Sequence, residues 1–136
     1  MCWALYLASD KELPQVPWDE ARPSFNTQAL SETEALVKSQ FSLPNVIYLG
    51  SHQGCGCGFM SADKDEPKEK ANRETTVHAL SSYLNAALQQ GARLEMFLCW
   101  EGDQTQAPVA KKSVTTKDFL TQEFPLAVKE FANVGT

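Results

Sequence analysis

Two thiols stand one residue apart in GSHQGCGCGF, the segment from Gly50 to Phe59. Gly54, Gly56 and Gly58 surround Cys55 and Cys57, and His52 lies just upstream. Thiolate and imidazole are ligands for soft and borderline metals, and a thiolate beside a base is also a nucleophile. In an extended strand Cys55 and Cys57 would share one face, because side-chain direction repeats every two residues. Their Cβ atoms would then lie roughly 6.5–7 Å apart, at about 3.3 Å of rise per residue. A zinc ion holding two thiolates at about 2.3 Å needs sulfurs nearly 4 Å apart. The chain must bend to serve a metal, and Gly56 is where it bends at little steric cost. A disulfide within so small a ring is strained and easily reduced.

Four uses of the segment compete. In a metal centre, Cys55, Cys57, His52 and Cys99 are the candidate ligands, with Cys2 as a further thiol, and the donor types suit zinc or iron. The spacing is tighter than the two to four residues of common zinc sites, and no second cysteine pair follows downstream. In thiol chemistry, the catalytic candidates are Cys55, Cys57 and His52: one cysteine attacks, His52 or His78 acts as base, and the other cysteine resolves. His52 faces away from Cys55 in a continuous strand, so this use needs a turn at Gly54. An anion cradle of glycine N–H groups is the third use, but GCGCGF has Phe59 where G-x-G-x-x-G has its third glycine, and it lacks the Gly-Lys-Ser/Thr of a P-loop. The fourth is packing, since free cysteine is among the most buried residue types. Alanine or valine would fill a core better than Gly-Cys-Gly-Cys-Gly.

Cys99 falls in FLCWEGD at the end of an alternating apolar run, on the same face as Glu101. It reaches the pair if that run neighbours the strand leading into Gly50. Glu101 then suits an outer-shell role, whereas Asp103 reads as a turn residue.

The elements that would position these groups are legible in part. CWALYLA, Cys2 to Ala8, is apolar on both alternating faces, the pattern of a strand covered on both sides. A proline-interrupted excursion follows, to be pinned by Trp18 and Phe25. In LSETEALVKSQF, Ser31 and Glu34 form a capping box, predicting a short helix over about 32–41. NVIYLG is a buried strand running into the cysteines. A long helix is predicted over about 66–90, with Val77, Leu80, Leu84, Ala87 and Leu88 as its apolar stripe, His78 at the stripe's border and Gly91 just past its end. RLEMFLCW and KKSVTT read as strands, the second leading into a helical turn through KDFLTQ at Thr115 or Thr116, and LAVKEFANV as a terminal strand. The expected fold is α+β, a single domain over 1–136, with four or five mixed or mostly antiparallel strands and the long helix on one face.

Bulk properties narrow the partners. The net charge of −5 and the interleaving of acids and bases in DKDEPKEKANRE predict a solvated face and no nucleic-acid surface. No apolar run reaches the ~18–20 residues that cross a bilayer, so no membrane partner is expected. The N-terminus has no basic leader, which predicts a cytoplasmic protein with free thiols. A chain of 136 residues buries roughly two-thirds of its unfolded surface and needs no staple. The sequence therefore points to a thiolate-based metal-binding or redox site. Its competitor is a non-catalytic interaction domain, homodimeric through a strand edge or the Trp18 loop, whose cysteines only pack.

Overall fold

The computed structural model describes residues 2–60, 66–121 and 123–136. Residues 63–65 of the interleaved charge run and Gln122 of the KDFLTQ turn lie outside the described residues. Six strands form one sheet: β1 (Trp3–Ser9), β2 (Asn26–Gln28), β3 (Asn45–Gly50), β4 (Leu94–Trp100), β5 (Ala110–Thr115) and β6 (Glu130–Gly135). Their order across the sheet is β2-β3-β1-β4-β6-β5, antiparallel except for the β5–β6 pair. The α+β class holds, with six strands rather than four or five. The additional strand is β2, three residues in the proline-rich excursion, too short to show an alternating pattern.

β1 lies at the centre and is covered on both faces, as its apolar alternation requires. Leu5 and Leu7 face the layer built by α1 (Pro67–Gln89), together with Leu49, Met96, Leu98, Val77, Leu80 and Leu84. Ala4, Tyr6 and Ala8 face a second core with Phe97, Cys99 and Phe131, closed by Val37 and Leu43. The segment closing that core is a tight 3-10 turn, Ala35–Gln40, instead of an α-helix over 32–41. The capping box nevertheless forms: Ser31 N–H donates to Glu34 Oε1 at 3.2 Å and Glu34 N–H to Ser31 Oγ at 3.3 Å. Pro44 follows within a few residues, leaving no room for further turns. Glu95 ties this segment down, accepting from Ser42 N–H at 2.9 Å, Ser42 O–H at 2.7 Å and Leu43 N–H at 3.3 Å. A buried carboxylate is stable when donors satisfy it in this way.

α1 begins at Pro67, whose missing N–H is no loss in a first turn. It ends in a Schellman arrangement. Gly91, at φ 84°, donates to Leu88 O at 2.9 Å, and Ala92 donates to Ala87 O at 3.1 Å. Among the described residues no helix is long and apolar enough to cross a membrane. Three details depart from the sequence reading. Trp18 is 42% exposed, so Phe25 alone of that pair pins the excursion. His78, placed by the sequence at the border of the apolar stripe, is exposed. Arg73 is buried within the charge run, and its Nε donates to Phe59 O at 2.9 Å.

Candidate metal centre

β3 leaves the ladder after Gly50, and the vacated edge of β1 is taken over by the cysteine loop. The loop reverses at Gly54, whose φ of 85° is open to glycine and strained for other residues. Gly54 N–H closes the turn onto Ser51 O at 2.9 Å, and Ser51 N–H reaches Cys55 O at 3.0 Å. Cys55 is extended, and Gly56–Phe59 then coil into a 3-10 turn ending on Phe59, which is buried against Phe124. Ser51, fully buried, is the hub. Its Oγ accepts from Gln53 N–H and Gly58 N–H, both at 3.1 Å, and donates to Cys55 O. A serine followed by glycines is the only sequence signal for that role.

The curl brings sulfurs together. Among the described residues, the Sγ atoms of Cys2, Cys55 and Cys57 lie within 4.8 Å of one another. All three cysteines are half-buried. Cys2 enters because the β1–β4 ladder runs one step further, through Glu101 N–H to Cys2 O at 2.9 Å. Trp3 N–H, which would have paired with β3, donates instead to Cys57 Sγ at 3.2 Å. Such a donor binds more strongly when the sulfur is charged. The Cys2 thiol is pushed above its ordinary range by its hydrogen bond to Cys55, then by the Cys55 charge, burial and Glu101. Three sulfurs this close repel once ionised, and a cation placed among them removes that cost.

The other candidates are placed elsewhere. Cys99 is buried opposite Ala4 in the second core, and burial pushes its thiol up to about 12. Both ring nitrogens of His52 are engaged by α1: Nε2 donates to Glu69 Oε1 at 2.6 Å and Nδ1 lies 3.0 Å from Thr76 Oγ1. His52 thus clamps the loop to the helix instead of facing the sulfurs. The hydrogen bonds from His52 and Gln53 hold the Glu69 carboxyl below its usual range. A lowered folded-state value stabilises the fold above the ordinary carboxylate pKa and loses that stability as pH falls through the folded one. Glu69 is about a third exposed, with 35% of its side-chain surface accessible, so screening limits the effect to about 1 kcal/mol or less. Urea unfolding of Glu69→Gln should show a deficit at pH 7 that vanishes below the range where Glu69 protonates. A deficit persisting at acid pH would mean that the clamp does not depend on charge.

A cleft of about 470 Å³ opens beside Cys55, lined also by Gln28, Glu34, Tyr48, Glu101 and Gln104. Glu34 is held in place by Tyr6 O–H at 2.6 Å, and Gln104 Nε2 donates to that same hydroxyl oxygen at 3.2 Å. Burial, then the charges of Cys55, Glu101 and Glu34, raise the Tyr48 phenol above its ordinary value. The cleft field is negative, and no lysine or arginine is among the described residues lining it. No protein-family model, curated protein or solved structure shows significant similarity to this chain.

Proposed function

We propose that this protein binds a soft or borderline metal ion, zinc before all, through Cys2, Cys55 and Cys57. The convergence of three Sγ atoms within 4.8 Å carries this reading. Tetrahedral zinc–thiolate bonds of about 2.3 Å set sulfurs about 3.8 Å apart. Rotation of these half-buried cysteine side chains, moving each sulfur by less than about 1 Å, covers the difference. Thiolates select zinc, iron or copper(I) over magnesium and calcium.

Metal analysis of protein purified without an affinity tag tests it, followed by cobalt(II) loading. One metal per chain is expected, with intense thiolate-to-cobalt charge-transfer absorption and alkylation of Cys2, Cys55 and Cys57 blocked until a chelator is added. Metal-free protein that gains no such absorption would overturn the proposal and leave packing as the account. The closeness of the Cys2 and Cys55 sulfurs, within 4.8 Å, supports a redox reading of the same cluster. In that reading hydrogen peroxide takes two electrons and two protons from this pair, leaving one disulfide and two waters, and the free-thiol count falls by two without metal present.

A further inference from the structure

Among the described residues three ligands converge in the cluster, and all three cysteines are half-buried. Structural zinc sites are closed by four protein ligands, whereas functional ones keep a position open for an outside ligand. Cys55 belongs both to the cluster and to the wall of the 470 Å³ cleft. That volume falls within the roughly 300–1,000 Å³ typical of small-molecule sites. We propose that the cleft delivers the metal's fourth ligand, and that this ligand is a small thiol carrying a positive charge.

The inference rests on the metal reading above and deepens it. A centre with three thiolates favours a further soft donor, which argues for sulfur. Charge selects the rest of the molecule. Three thiolates around a divalent ion already leave one surplus negative charge, and a fourth thiolate adds another. Glu34 and Glu101 lie in the same cleft, without a compensating lysine or arginine among its described lining residues. An anionic tail is repelled there, and a cationic one is attracted. Glu34 is occupied by Tyr6 and Ser31, whereas the Glu101 carboxylate has no hydrogen-bond partner among the described residues. Glu101 is therefore the group to meet the cation.

Cobalt-loaded protein provides the test. Thiocholine, whose quaternary ammonium cannot chelate, is titrated against 2-mercaptoethanesulfonate, its anionic counterpart of similar size, each referred to its own thiolate concentration. Both should shift the cobalt d–d bands, with thiocholine binding roughly tenfold more tightly, as attraction replaces repulsion across a few ångströms of wet cleft. In Glu101→Gln the preference should fall towards that of a neutral site. Cobalt held by thiolates with no response to either thiol, or with equal affinity for both, overturns the cleft inference and leaves the metal reading intact. Failure to bind cobalt at all sinks both.

Discussion

Cys57→Ser should lower zinc affinity more than about 100-fold, beyond the 10–100-fold cost of losing an outer-shell partner. Cys57 is the sulfur whose place is fixed twice. Trp3 N–H points at it from β1, and its own carbonyl accepts from Met60 N–H at 3.1 Å, closing the 3-10 turn. Serine keeps the size and the backbone bond, so the fold should survive and circular dichroism should be unchanged. What it removes is the soft, ionisable donor: a hydroxyl does not deprotonate to serve zinc at neutral pH as a thiol does. Competition with a chromophoric chelator measures the loss. Cys99→Ala is the matched comparison. Its thiol lies one step further into the ladder on the same face as Cys2, buried in the core with Ala4, Tyr6 and Phe97, so its loss should cost stability through a small cavity and leave zinc affinity within about twofold. Equal losses in the two variants would mean that the metal is not held by the Cys2–Cys55–Cys57 cluster.

The bend of the cysteine loop is legible in the sequence because its glycines mark where the chain can turn at little steric cost. A bend was required for two sulfurs one residue apart to meet, and the bend occurs, with the reversal at Gly54 and the coil beginning at Gly56. The identity of the third sulfur was not legible. Cys2 and Cys99 are equivalent as residue types, and only the register Trp3↔Trp100 and Ala4↔Cys99 separates the one at the open end of the ladder from the one in the core. Register is a property of pairing, and no local pattern encodes it. His52 shows the same limit from the other side. Its spacing from Cys55 invited a Cys–His pair, but the partner it finds is Glu69, 17 residues away on α1. The long helix and its Gly91 stop were read correctly because their signals are local: periodic burial and a backbone conformation favouring glycine. Where the sequence predicts a short helix over 32–41, the chain makes a 3-10 turn, Ala35–Gln40. A capping box marks a helical start and says nothing about how many turns follow it.

Gly56→Ala should destabilise the metal-free protein by about 2–3 kcal/mol, in the range of core overpacking. A methyl group at position 56 would sit 2.8 Å from Trp3 O, 3.1 Å from Trp3 C and 3.5 Å from Leu5 N. These are backbone atoms of the central strand, held by β4 on its other edge, so they cannot retreat as a flexible side chain would. The loop must lift instead. Lifting it breaks Trp3 N–H to Cys57 Sγ and moves Cys55 and Cys57 away from Cys2, so zinc affinity should fall along with stability. Gly54→Ala separates this clash from ordinary backbone strain. Position 54 has nothing within 4 Å of an added methyl, and its cost comes from φ 85° alone, about 1–2 kcal/mol. Urea unfolding of both variants, paired with chelator competition, should rank Gly56→Ala as the worse in each measurement. If Gly56→Ala instead unfolds like the wild type and binds zinc as tightly, the loop is not seated on β1. The convergence of the three sulfurs would then lose its structural cause.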